Sequence, residues 1–268
     1  MLLAATSQPM KKYSFLAIVA GLLVSTDAQS AVVLASDAGF VTSAGGSAKG
    51  DATVTPLAKY NYSVGRELHY GAGFLFSPLV AMDRRNYFVF DLTGITDTIT
   101  SATLTLWSGT FESVDATESY GLFASTDPAT AIGLSTALAG GTSTTDFDGP
   151  ADPLITAAST LYTKLADGPF LGGLVISSAA DSSFIDIALT PGGLGYLNSF
   201  LGSTVILGGM VPTAVGLPSP QQPFGGTGPD SFPGSKTPKL TVTTVPEPTA
   251  ALILLGTFSL AAARRRRV

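Results

Sequence analysis

The sequence predicts an all-β body: one β-sandwich or jelly-roll-like domain, flanked by an N-terminal apolar helix and a short C-terminal one. Three observations predict it. Several segments alternate apolar and polar residues with a period of two. Gly- and Pro-rich stretches separate them. No long amphipathic helix pattern is present.

The first candidate strands are residues 32–35, 52–57 and 61–65. Residues 86–92 follow, dense in aromatic and β-branched side chains. Residues 99–107 alternate most clearly. Ala102, Leu104 and Leu106 point one way, and Thr103, Thr105 and Trp107 the other, as in a half-buried antiparallel strand. Segments 119–124 and 173–176 continue the pattern. In 183–190, Ile185, Ile187 and Leu189 form the inward set and Asp186 faces out. One short helix is expected over 194–201, weakened by Gly195. Strands at 204–207 and 239–243 complete the set, with a long Pro/Gly loop over 211–238 between them. About 215 residues between the ends suit one all-β domain. No repeat of 20–50 residues points to a propeller or solenoid.

The chain has 268 residues, 45% of them apolar, with 12% charged and no Cys. Globular domains average about 25% charged. Ser and Thr fill the gap, at 27 and 32 residues. Lack of Cys excludes a disulfide scaffold, a thiol enzyme and a Cys zinc site. Residues 31–244 hold 8 bases and 17 acids, a net of −9, which argues against nucleic-acid binding.

Chemistry-bearing constellations are sparse, and the sequence calls for no cofactor. His69 is the single His, and no Gly-x-Ser-x-Gly elbow accompanies it, so it reads as an ordinary loop or surface residue. Asp146, Asp148 and Asp152 form the one calcium candidate. Their spacing departs from the EF-hand, with Ala157 where a bidentate Glu belongs, and a solvated acidic turn is the simpler reading. Glu112, Asp115 and Glu118 would serve a glycosidase only if two faced each other about 5–9 Å apart. Tyr60, Tyr62, Tyr70 and Trp107 are the glycan-contact candidates, beside Phe74 and Phe76. Aromatics give sugars apolar faces, although closing one end of the sandwich core is the simpler reading for most of this segment. Asp83, Arg84 and Arg85 read as ion pairs at a strand mouth.

The two ends read as addresses. Lys11 and Lys12 precede a ten-residue apolar run, 15–24, and then small and polar residues through Ala31. This is the layout of a secretory signal peptide over residues 1–30, and cleavage after Ala28 or after Ser30 fits it. Met10 also reads as an ordinary start, which makes 1–9 an upstream extension. At the other end, Pro246, Glu247 and Pro248 precede an apolar stretch, 250–263, and then Arg264, Arg265, Arg266 and Arg267. Its 14 residues reach about 21 Å as a helix, short of a ~30 Å hydrocarbon core. The arginines favour the cytoplasmic side, so the body is expected outside that membrane.

Residues 245–268 closely resemble the PEP-CTERM sorting signal of Gram-negative bacteria. Pro-Glu-Pro, a short apolar transmembrane helix and a terminal Arg cluster occur in that order. The resemblance implies export through the Sec translocon and signal peptidase, transient inner-membrane anchoring, and recognition and cleavage by an exosortase. Release or transfer to the cell surface follows, in bacteria that make exopolysaccharide. Pro246, Glu247, Pro248 and Arg264 to Arg267 would be recognised, not catalytic. Residues 85–92 with 99–106, 118–127, and 184–189 with 194–200 also resemble exported β-sandwich proteins carrying this tail. That group implies a surface or polysaccharide-associated role and no catalytic residue. The expectation is a non-enzymatic surface or extracellular-matrix protein. The alternatives are a carbohydrate-binding module tethering exopolysaccharide and a secreted hydrolase.

Overall fold

The structure, a computed structural model, describes residues 27–44, 47–49, 62–70, 79–138, 143–144, 153–214, 221–224 and 236–246. Ala28–Val245 forms one compact unit. The expected signal peptide, residues 52–57, the acidic turn 146–152 and the C-terminal apolar helix lie outside the described residues, save for Asp27 to Ser30 at the edge of the first. Among the described residues, no helix is long and apolar enough to cross a membrane.

The all-β expectation holds. Eight strands form one antiparallel, nearly closed sheet. In chain order they are β1 (Gln29–Thr42), β4 (Leu79–Asp91), β5 (Thr98–Ser108), β6 (Glu118–Ala124), β8 (Phe170–Ile176), β9 (Ser183–Ala188), β10 (Thr204–Met210) and β12 (Lys239–Val245). Their spatial order is β8-β6-β10-β4-β1-β12-β5-β9. A bridge between Gly172 and Leu189 brings the two end strands together. The Thr190 N–H adds a 2.7 Å bond to the Leu171 carbonyl. Short strands β2 (Ser47–Lys49), β3 (Val64–Tyr70), β7 (Ser143–Thr144) and β11 (Gln221–Phe224) extend the sheet beside β1 and β4.

β1 turns the sheet. Its first half, Gln29 to Leu34, pairs with β12, and its second half, Ala35 to Thr42, pairs with β4. An irregularity between Ala35 and Asp37 marks the change, as a bulge bends and twists a strand.

Burial follows the sequence periodicity where one face is wet. In β5, Ala102, Leu104 and Leu106 are buried and Thr103, Thr105 and Trp107 are half-exposed. Ile99 breaks the alternation yet is buried too, because the pairing with β12 shifts between Thr243 and Thr244. β9 buries Ile185 and Ile187 and exposes Asp186. β4 differs: Asn86, Tyr87, Phe88, Val89 and Phe90 are all buried. Phe88 and Phe90 join the main core inside the sheet. Tyr87 and Val89 join a second core with Val41 and Ile206, beneath two helices. A strand covered on both faces loses alternation and reads as a continuous apolar run.

Those helices correct the expectation of an almost helix-free body. They are α1 (Pro128–Ala137) and α2 (Pro153–Lys164). α1 starts at a cap where the Asp127 carboxylate accepts from the Thr130 N–H, with Pro at the first turn. It buries Ala131 and Ser135; α2 buries Ala158 and Leu161. Small residues and an interior Gly133 hide this pattern in the sequence. The expected short helix is α3 (Pro191–Asn198), and it begins three residues before the predicted start. Its cap is the Thr190 hydroxyl, which accepts from the Gly193 N–H at 3.1 Å. The expected 211–238 loop is interrupted by β11, which pairs with β3. The strand expected at 61–65 instead runs from Val64 to Tyr70.

Candidate functional site

The expected aromatic contacts separate. Tyr62 is fully buried and is not available to a ligand. Its ring meets Phe88 edge-on at 5.5 Å. Its hydroxyl accepts from the Trp107 N–H at 3.0 Å and donates to the Trp107 carbonyl at 3.1 Å. Buried tyrosines need a partner for that hydroxyl, and strand β5 supplies both halves. Tyr60, Phe74 and Phe76 lie outside the described residues. Tyr70 ends β3 opposite Leu79, and its side chain is likewise outside them. Trp107 stands half-exposed on the outer face, as expected.

Tyr62 belongs to a buried polar chain. The Tyr120 hydroxyl donates to Asn86 Oδ1 at 2.9 Å, and Asn86 Nδ2 donates to the Tyr62 carbonyl at 3.0 Å. Burial pushes the Tyr120 hydroxyl far above its ordinary pKa, so it remains a neutral donor. A Cβ on Gly209 would fall on the Tyr120 hydroxyl and on Asn86 Oδ1, so only glycine fits there.

The acidic candidates differ in burial. Glu118 is buried, and its carboxylate accepts from the Ser113 and Thr213 hydroxyls. Glu112 and Asp115 are exposed. Among the described residues no three His, Asp or Glu side chains gather as metal ligands. Asp146, Asp148 and Asp152 lie outside them. His69 sits in β3 opposite Val80, its side chain outside the described residues. Of the expected strand-mouth ion pairs, Asp83 binds Arg66 at 2.6 Å. Arg84 instead lies over the Phe40 ring, and Arg85 over Tyr162.

Two outward surfaces stand out among the described residues. The first is a groove of about 300 Å³ on β6 and β8, lined by Tyr120, Phe123, Phe170, Leu174, Val175 and Pro212. Gly121 and Gly173 pair directly across these strands. The Phe123 and Phe170 rings, 5.6 Å apart edge to face, cover that pair. A Cβ on Gly121 would stand 2.7 Å from the Phe123 ring. The rings thus replace packing that the glycines lack.

The second surface is the outer face of β1, β12, β5 and β9, and it mixes chemistries. Register aligns Val32, Thr241, Thr103 and Ala188 in one row. Leu34, Lys239, Thr105 and Asp186 form the next. Trp107 and Phe184 pair at the end, edge to face at 5.0 Å. Phe184 is 45% exposed. The Thr105 hydroxyl donates to Asp186 at 2.6 Å. The Lys236 ammonium lies 3.8 Å from the Trp107 ring centre, and the Lys239 ammonium 5.1 Å from that of Phe184. Rings, ammonium groups, hydroxyls and a carboxylate thus share one sheet face. Sequence reasoning found Trp107 here but missed Phe184, Lys236 and Lys239. The alternation in 183–190 marks Phe184 as outward, whereas nothing local ties Lys236 to Trp107.

No protein-family model matches the chain, and no curated protein matches it significantly.

Proposed function

We propose that this chain is an exported, non-enzymatic protein of the cell surface or extracellular matrix, sorted by an exosortase through its C-terminal segment. One observation carries the reading: a basic-then-apolar segment at residues 11–24 precedes the body, and Pro246-Glu247-Pro248, an apolar stretch and four arginines follow it. The Sec translocon, signal peptidase and exosortase are its processing partners, and the inner membrane holds it transiently. The body is read as a β-sandwich in which β1 is shared between two layers.

Strand ends agree with processing at both sites. β1 begins at Gln29 and β12 ends at Val245. Cleavage after Ala28 leaves every rung between them, whereas cleavage after Ser30 removes the Gln29–Thr244 and Ser30–Thr243 pairs. Mass spectrometry of the protein from fractionated cells tests the reading. The expected product begins at Gln29, lacks the arginine tail, and occurs at the surface or in the medium. An intact tail in a host with an active exosortase overturns it.

A further inference from the structure

We infer that the end of β12 is a latch beside the sorting motif: Thr244 and Val245 must leave the sheet before a peptidase can grip the chain at Pro246-Glu247-Pro248. The biological use of the latch rests on the export reading above, whereas the latch itself rests on strand pairing.

Spacing is the first argument. β12 ends at Val245 and the Pro-Glu-Pro segment begins at the next residue, so no spacer separates the fold from the motif. β12 is an interior strand, paired with β1 on one side and β5 on the other. Thr244 pairs with Gln29 and with Ile99, and Val245 pairs with Thr98. Thr244 is buried, and Val245 and Pro246 are half-buried. A peptidase takes the residues ahead of the cut as an extended strand, through the same main-chain groups that a sheet uses. Thr244 and Val245 cannot serve the sheet and the enzyme together.

The strength of the hold comes second. Pairing of β12 with β5 slips between Thr243, opposite Ser101, and Thr244, opposite Ile99, so Thr100 is left over. A bulge breaks the ladder locally, which sets the last two residues apart from the buried Leu240 and Val242. The Thr100 hydroxyl donates to the Thr243 carbonyl at 3.2 Å and pins the chain just ahead of them. Beyond that point the hold is thin. The Ile99 N–H donates to Asn198 Oδ1 at 2.8 Å, so the Thr244–Ile99 rung draws no N–H from Ile99. Rungs at a strand end open far more readily than the whole body, and cutting then follows the open fraction.

Selectivity follows from these two features. An enzyme that binds the opened end draws the equilibrium toward it, whereas a passing peptidase meets that form rarely. The tail therefore stays attached until the sorting peptidase engages it. The body remains folded through the cut, because Leu240 and Val242 keep their rungs with β1 and β5.

The test is proteolysis of the full-length chain in neutral detergent by a proline-specific endopeptidase, with cleavage after Pro246 timed by mass spectrometry. Rates are taken relative to synthetic peptides of the same sequence, which removes the enzyme's preference for residues around the bond. The wild type is expected to be cut about thirty-fold more slowly than a variant with Gly-Ser-Gly-Ser inserted between Val245 and Pro246. The double variant Thr98→Cys/Val245→Cys, in a chain with no other Cys, places a disulfide across the last rung, its formation checked by thiol titration. Its oxidised form should be cut at least about ten-fold more slowly than its reduced form, and with the spacer present oxidation should make no difference. Circular dichroism of each variant should match the wild type. Equal rates for the wild type and the spacer variant, or equal rates for the oxidised and reduced forms, overturn the inference. An intact tail in a host with an active exosortase overturns the export reading alone, because these rates are read with a different enzyme.

Discussion

Replacing Arg85 with Ala should loosen α2 from the sheet before it unfolds the body. Arg85 leaves β4 on the face that carries the helices. Its guanidinium donates to the Tyr162 carbonyl at 2.7 Å and to the Leu165 carbonyl, and lies 4.3 Å from the Tyr162 ring centre. Those carbonyls belong to the end of α2, where acceptors lack helical donors and the dipole favours a cation. Hydrogen bonds to a charged group are worth about 1.5–3 kcal/mol, and a cation over a ring about 0.5–2 kcal/mol. Arg85 is partly exposed, so the expected loss is about 2–3 kcal/mol, below the ~3.5–8 kcal/mol that two such bonds and the ring contact would give in full. Domains are stable by about 5–15 kcal/mol, so Arg85→Ala should still fold. Urea denaturation should show the lower midpoint at an unchanged slope. Hydrogen exchange should accelerate in α2 more than in β5. Burial raises the Tyr162 hydroxyl's pKa, and the Arg85 charge opposes that rise, so removing Arg85 should raise it further. Arg85→Lys keeps the charge but not the planar fork, and should fall between the two. A loss under about 0.5 kcal/mol with α2 exchange unchanged would refute the reasoning.

Gly209→Ala sets a methyl on the Tyr120–Asn86 bond. Overpacking of this kind costs about 1–3 kcal/mol or more, and an unchanged thermal midpoint would show that the core yields freely. Tyr62→Phe removes the hydroxyl that bridges both main-chain groups of Trp107, and should cost about 1–2 kcal/mol; an unchanged urea midpoint would show that the bridge adds nothing to stability. Tyr87 and Tyr120 are both held up by burial, Tyr87 also by Asp37. Their folded pKa values exceed the unfolded value of about 10, so stability is undiminished below that pH and falls above it. Ultraviolet titration should show these two ionising only with unfolding, and early ionisation of all tyrosines would contradict it.

Legibility in the sequence followed how many faces of an element are buried. β5 and β9 are wet on one face, so alternation alone gave their inward residues correctly. β4 is buried on both, and its apolar run said strand but not what covers the second face. α1 and α2 are that cover, and their Ala, Thr, Ser and Gly content offers little helical contrast. β1 and β8 run beyond their expected spans because Ser36, Asp37 and Gly39 in β1, and the Gly172–Gly173 pair in β8, interrupt the apolar pattern inside each strand.

Side-chain roles diverged for a related reason. Tyr62 and Trp107 looked alike as aromatics near polar residues. The fold brings them together across 45 positions, and makes one a buried core residue and the other a half-exposed ring. Glu118 shared its loop with Glu112 and Asp115, yet Thr213, 95 residues away, holds it inside.

By itself the sequence determined what depends on neighbours in the chain: the strand period, the acidic and hydroxyl-rich character of the body, and the contrast between that body and its two apolar ends. The tertiary structure alone decided which residues meet. Register joins Lys239, Thr105 and Asp186 in one row, and a chain return joins Lys236 to Trp107. Such contacts arise from pairing between distant segments, where a shift of one residue would turn every side chain to the opposite face.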